Sequence, residues 1–284
     1  MHRLQSLMAD VMCNGWDRTT RSGEVRSVFH RTFKHDMRSS FPAVTCKPLA
    51  WKAMVGELLW FLNGETDIDS LRHRSNIAEG KWTIWSNDKT RWHETGDRGV
   101  PEESLGKLYG EQWRSFGTDN VDQIANLIKT MKEDPSSRYM IVQAFDPQVV
   151  SRGEAALPPC HTGFQVYVDI NTGEFDLDWT QRSVDVFLGL PFNIASYATL
   201  MLIISELTGL TPRYLIGSLK DTHIYHAHMD QVEEYTKRIP IPSSLKITMP
   251  AINSLDDLKG LTAEDFKIEN YESHPKLSAP LLVG

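Results

Sequence analysis

The chain has 284 residues, of which 40% are hydrophobic and 24% charged, with a formal net charge of −7. These values fit one large globular domain with a substantial core. Without a long basic stripe they argue against polymeric nucleic acid as a partner, while a small anion held by a few local arginines stays open. The longest apolar run, ATLMLII at 198–204, falls far short of the roughly 20 residues that span a bilayer, and the opening MHRLQSLMADVMCNGWDR does not read as a signal peptide. Cys13, Cys46 and Cys160 show no CxxC pairing, so neither a disulfide framework nor a zinc ribbon is expected. A reducing cytoplasm is the expected compartment.

In chain order, RLQSLMADVMCNG carries a helical apolar stripe at Leu4, Leu7, Met8, Val11 and Met12, with Gly15 near its end. VRSVFHRTFKHDM alternates weakly and predicts a strand. PLAWKAMVGELLWFLNG predicts a helix: Trp51, Met54, Val55, Leu58, Leu59 and Leu62 share a face and Gly64 stops it. Residues 73–104 are charged and turn-rich with three tryptophans, so a long loop or small insertion is expected there. VDQIANLIKTMKED predicts an amphipathic helix ending before Pro135, and RYMIVQAFD a strand. TGFQVYVDI and EFDLDWTQRS flank Asn171-Thr172-Gly173 and predict a β-hairpin. PFNIASYATLMLIISELTG is apolar on most sides, a buried helix closed by Gly209. KITMP and FKIENYE predict short late strands. Helices with mainly antiparallel strands, not in βαβ alternation, predict a single α+β domain over 1–284.

Three readings of Cys160 in ALPPCHTGFQV remain open on residue chemistry: a small buried hydrophobe, a metal ligand, or a nucleophile. The adjacent His161 need not touch the thiol, because neighbours on a strand point to opposite faces. QRS at 181–183 lies on the partner strand of the hairpin, and an arginine near a thiol favours the thiolate. In QRSVDVFLGLPFNIASY the polar Arg182, Ser183, Asp185 and Asn193 interrupt an apolar run and need partners in protein or ligand. Asp185 and Asn193 could equally cap the following helix. In KDTHIYHAHMDQ the histidines 223, 226 and 228 lack the spacing of a metal site with a cysteine or carboxylate partner, so no metal is expected.

Taken together, PPCH, QRSVDVFLGLPFNIASY, DTHIYHAHMDQ, ELLWFLNGETDI, TIW, LGKLYGEQWR, DRT and the terminal HPKLSAP resemble, in order and over nearly the whole chain, the thymidylate synthase family. The resemblance implies a homodimer built through its sheet, and one-carbon transfer from 5,10-methylenetetrahydrofolate to C5 of dUMP. Cys160 would attack C6, with Arg182 holding phosphate and lowering the thiol pKa. Gln181 and Ser183 would line the nucleotide site, Asn193 would pair with the uracil edge, and His223 and Tyr225 would bind the ribose. Glu57 and Tyr109 would order water and move protons. Asp185 would meet the pterin, Ile84, Trp85, Leu157, Leu188, Phe192 and Ala279 would pack the folate, and Lys47 would meet its glutamate tail. Arg18 and Arg138 would bind phosphate, Arg138 from the other subunit.

The chain departs from the family pattern in four places. Arg138-Tyr139 stands where two arginines are usual, and Lys220 is the candidate replacement, with Arg21 a further source of charge. DRTTRSGEVRSVF is longer than the usual compact loop. TIWSND lacks the second folate-facing tryptophan. The chain ends PLLVG, with Gly284 beyond the usual apolar terminus. A looser site would admit water and give a dUMP 5-hydroxymethylase; Trp85 points instead to methylation. A non-catalytic nucleotide-binding protein and a cysteine hydrolase are the other classes, and neither accounts for the QRSVDVFLGLPFN block together with an intact Cys160, Arg182, Asn193 and Glu57.

Overall fold

A computed structural model describes residues 2–242 and 245–282. Its helices are α1 (His2–Asn14), α2 (Trp51–Leu62), α3 (Ile68–Arg74), α4 (Ser86–Glu94), α5 (Tyr109–Arg114), α6 (Gln123–Glu133), α7 (Pro147–Arg152), α8 (Gly189–Thr208) and α9 (Met229–Lys237). The strands are β1 (Trp16–Thr20), β2 (Gly23–Asp36), β3 (Ile141–Gln143), β4 (His161–Asp169), β5 (Glu174–Asp185), β6 (Thr211–Tyr225), β7 (Lys246–Thr248) and β8 (Lys267–Glu269). The main sheet runs β1-β2-β6-β5-β4-β3, and β7 and β8 form a separate ribbon. This is the expected α+β architecture with a mixed sheet.

Local chemistry accounts for the element ends. Asp67, Asp122 and Asp146 each accept a backbone N–H at the start of α3, α6 and α7, and Pro147 opens α7. Gly209 takes a left-handed conformation (φ 76°) to end α8. Gly173 does the same in the β4–β5 hairpin turn (φ 69°). Gly217 on β6 must lack a side chain, because a Cβ there would stand 2.6 Å from the Trp179 ring.

Three expectations need correction. The β5–β6 pair is parallel, with α8 as its crossover, so the fold does contain one βαβ unit. The long strand β6 is not among the expected elements, because polar residues in its KDTHIY end mask the alternation. Residues 73–104 are not all loop, since they hold the nine residues of α4, with Trp85 and Trp92 buried against the core. The DRTTRSGEVRSVF segment forms the β1–β2 hairpin, turning at Gly23 (φ 121°).

Helix α8 packs against β5 and β6 and against α2, and both helices contribute heavily to the core. By length and composition α8 could cross a bilayer, contrary to the expectation from its sequence runs. Within the fold 78% of its most apolar window is buried, which is the environment of a core helix. The opposite face of the sheet carries Ile141, Gln165, Tyr167, Asp178, Thr180 and Ser218 in register, with Tyr167 61% and Ile141 43% exposed.

Candidate active site

Cys160 stands where Pro158 and Pro159 run into β4. Its N–H donates to the Tyr109 hydroxyl at 2.6 Å, and its carbonyl accepts the Arg182 N–H at 2.9 Å. The Arg182 guanidinium donates to the carbonyls of Pro158 (2.7 Å) and Pro159 (2.9 Å). Arg182 therefore braces the turn that presents the thiol as well as lining the cavity around it. Burial raises the Cys160 pKa; Arg182 and Arg21 pull it down, and Asp88 pushes it up. Arg182 thus acts in the expected direction, and desolvation outweighs it.

The cavity at Cys160 has a volume of about 450 Å³. The β1–β2 hairpin brings Arg18 and Arg21 to it, the end of β5 brings Gln181, Arg182, Ser183 and Asp185, and the end of β6 brings Asp221, His223 and Tyr225. Leu157 and Asn193 complete the expected lining. Arg18 is ion-paired with Asp221. Burial pushes the Asp221 carboxyl up, but His223 and Arg18 together bring it below its usual range. Asn193, 9% exposed, lies within α8 and is no cap; its Oδ1 accepts from Gln181 Nε2 at 3.1 Å. Gln181 is itself held by the Trp179 indole N–H, donated at 3.1 Å, so the amide pair is oriented before any ligand arrives. Asp185 is no cap either, since α8 starts after Leu188 without a side-chain cap; its Oδ1 instead closes the preceding turn, accepting from the N–H groups of Phe187 (2.9 Å) and Leu188 (3.1 Å).

A second cleft of about 520 Å³ adjoins the first, and the two share His161, Asp185, Gly189 and Asn193. Its walls are mainly apolar, from Ile84, Trp85, Leu188, Phe192 and Leu281, with Lys47, Glu57, Asp185 and Lys276 as charged groups. Glu57 accepts the Trp85 indole N–H at 2.7 Å, and burial pushes its carboxyl up to about 7 against that hydrogen bond. The Tyr109 hydroxyl, buried at the same wall, is held well above its ordinary pKa by desolvation. Burial also keeps His161 neutral, at about 4. The Lys47 ammonium lies 4.7 Å from the centre of the Phe187 ring, and burial lowers it to about 8 although Asp185 pulls upward.

Three expected residues lie elsewhere. Lys220 lines neither cleft; it is a neighbour of Asp178, whose carboxyl it pulls down against burial, on the open sheet face. Strand alternation separates it from Asp221, so it does not supply the missing phosphate donor within this chain. Ala279 packs against the core rather than lining a cleft. Arg138 is exposed before β3 in a surface depression with Gln165 and Tyr167, away from Cys160 of its own chain, and Tyr139 is 89% exposed. Gly284 lies outside the described residues. Conversely, the sequence reading missed Asp88, Asp221, Lys276, Leu281 and Leu282, all of which line a cleft. Asp88 follows TIW, and its pairing with Arg91 three residues on was a legible helix signal.

The three histidines of the DTHIYHAHMDQ segment go separate ways. His223 lines the first cleft, His226 faces Asp17 and Glu24, and His228 is buried against Pro280. Among the described residues no group of three or more His, Cys, Asp and Glu is arranged to hold a metal ion.

Residues 2–283 match the family model described as thymidylate synthase. The probable thymidylate synthase of Escherichia phage T5 is 47% identical over 284 residues, covering 99% of both chains. The thymidylate synthase of Enterobacteria phage T4 is 40% identical, covering all of both chains. The crystal structure of thymidylate synthase from T4 phage matches this fold with a TM-score of 0.90 at 38% identity, over 100% of each chain. A half-buried thiol in an arginine-lined pocket that adjoins an apolar cleft thus lies within a fold shared along its full length, and the chain belongs to the thymidylate synthase family.

Proposed function

We propose that Cys160 is the nucleophile of a thymidylate synthase reaction in which dUMP and 5,10-methylenetetrahydrofolate yield dTMP. The observation that carries this reading is the junction of the two clefts. The polar pocket presents Arg18, Arg21 and Arg182, suited to a phosphate. The apolar cleft offers Trp85, Leu188 and Phe192 to a flat heterocycle and Lys47 to an anionic tail, and this donor set fits a folate. When bound, the folate supplies the one-carbon unit and the hydride that reduces it to methyl.

In this proposal the Cys160 thiolate adds to C6 of the pyrimidine. The displaced electron pair passes to the C4 carbonyl oxygen, and C5 becomes nucleophilic. Asn193, oriented by Gln181, pairs with the pyrimidine edge and favours uracil. His223 and Tyr225 hold the ribose. Glu57, held near neutrality, moves a proton to and from O4 through ordered water, and the Tyr109 hydroxyl stands on the Cys160 backbone to serve loss of the C5 proton. Reversal of the addition breaks the S–C6 bond and returns the thiolate. Trp85 and Leu281 help to exclude water from the cleft. The working unit in this reading is a homodimer joined through the open sheet face, with Arg138 reaching the partner's phosphate site; the exposed Ile141 and Tyr167 support that surface.

Product analysis tests the reading. Incubation with dUMP and methylenetetrahydrofolate should give dTMP by mass spectrometry, with a stoichiometric rise in dihydrofolate absorbance. 5-Hydroxymethyl-dUMP without dihydrofolate would replace it with the hydroxymethylase. Covalent trapping by 5-fluoro-dUMP plus the folate should be lost in Cys160→Ala; a trapped adduct in that variant removes Cys160 from the role.

A further inference from the structure

We propose that His228 is a positioning residue that ties the C-terminal segment to the wall of the nucleotide pocket and so holds that segment over both clefts. The inference rests on the assignment of the clefts given above. His228 ends the short turn His226–His228 that follows β6 and is fully buried. Its Nε2 lies 2.8 Å from the Pro280 carbonyl oxygen. A carbonyl only accepts, so Nε2 carries the proton and donates it. Nδ1 is buried without a hydrogen-bond partner among the described residues.

The ring is gripped on two sides. Tyr225 meets it edge-on at 5.4 Å between ring centres, and Phe187 lies tilted against it at 5.6 Å. Tyr225 lines the nucleotide pocket, and Phe187 carries the Lys47 ammonium. On the far side of the bond, Leu281 lines the apolar cleft and Leu282 the nucleotide pocket. Upstream, the tail is fixed at His274, whose N–H donates to the Thr45 carbonyl, and at Pro275, whose carbonyl accepts from Arg238. Across residues 276–282 the His228 bond is the one hydrogen bond between described residues. Leu277 and Ala279 pack against the core, and this buried donor is the polar anchor between them and the two cleft-lining leucines; no water can replace a ring with no exposed surface. His228 touches neither cleft, so its effect passes through the tail.

His228→Phe keeps a ring and removes the donor; His228→Gln keeps a donor near the Nε2 position. In His228→Phe, the KM for methylenetetrahydrofolate should rise about tenfold, the scale of one lost hydrogen bond. The Kd for dUMP alone should stay within about twofold, since the polar pocket keeps its arginines. Hydrogen exchange in the peptide covering residues 276–282, measured without ligand, should quicken. His228→Gln should restore both the KM and the slow exchange. An unchanged KM or unchanged exchange in His228→Phe, or a Gln variant that behaves like Phe, overturns the proposal. Should the Phe variant not fold, Leu281→Ala/Leu282→Ala tests the same tail without touching the histidine: it should raise the folate KM in the same way, and an unchanged KM overturns the proposal. The exchange arm needs no turnover, so a wild-type protein that makes no dTMP defeats the functional reading while leaving the tether result standing.

Discussion

The two clefts are built by opposite means. The polar pocket lies at strand ends, where β1–β2, β5 and β6 deliver charged and amide groups from short contiguous stretches. The adjoining cleft is assembled from the loop before α2, from α2 itself, from the segment entering α4, from α8 and from the C-terminal tail. The first fixes a ligand by directed hydrogen bonds and charge. The second excludes water and, in doing so, shifts the protonation of the few polar groups it contains. Sheet hydrogen bonding places the first rigidly, whereas side-chain packing and one tail hydrogen bond shape the second. This division teaches which mutations should separate nucleotide binding, folate binding and chemistry.

The largest effect is expected where the clefts meet. Cys160→Ser should abolish dTMP formation while circular dichroism stays native; turnover near the wild-type rate would sink the assignment of the nucleophile. Next is Glu57→Gln, which keeps an acceptor for Trp85 and removes the titrating proton. Its kcat should fall by roughly 10²- to 10³-fold, the range of general acid–base assistance, with dUMP affinity retained; a fall in affinity alone would move Glu57 from the chemistry to binding.

The same variant tests the electrostatics of the apolar cleft. Burial raises Glu57 from 4.5 to about 7, so the folded state binds the proton more tightly than the unfolded chain. That stability is present in full below pH 4.5 and is lost as pH rises through 7, by about 3 kcal/mol in all. The drop in melting temperature between pH 5 and pH 8 should therefore be smaller in Glu57→Gln than in the wild type. Equal drops would show that the carboxyl is hydrated in solution.

Single-cleft mutations come next. Arg182→Ala removes a cavity cation and the brace on Pro158 and Pro159, and the KM for dUMP should rise by about 10- to 100-fold. Lys47→Met should raise the KM for the folate by about tenfold, with the dUMP Kd unchanged; the reverse pattern would exchange the two ligands between the clefts. The smallest effect is expected for Lys220→Ala, whose side chain lies off the pocket in its own chain. Its KM for dUMP should stay within about twofold of wild type, and a larger rise would bring Lys220 back to the phosphate through the partner subunit.

The polar pocket was legible in advance because its residues cluster in motifs whose polarity breaks an apolar run. Cys160, Gln181, Arg182, Ser183, Asp185 and Asn193 could be picked out this way and do converge. Much of the apolar cleft came only through family resemblance, since Ile84, Trp85, Leu188 and Phe192 look like ordinary core residues in a sequence. Leu281 and Leu282 escaped notice because nothing local distinguishes them from a frayed terminus. The histidines of DTHIYHAHMDQ interrupt the apolar pattern and so hide the alternation of a strand. Lys220 was misplaced because a charge was weighed without the strand parity that turns its side chain away.

By itself the sequence determined the α2 and α8 helices and the β4–β5 hairpin, and it singled out Cys160 and its polar neighbours as candidates, because periodicity, turn chemistry and motif spacing are local properties. Only the tertiary structure decided the parallel β5–β6 pairing, the protonation of Cys160 and Glu57, and the place of the C-terminal leucines. Each of these depends on burial and on contacts between residues far apart in the chain, and desolvation has no signature in a linear string of residues.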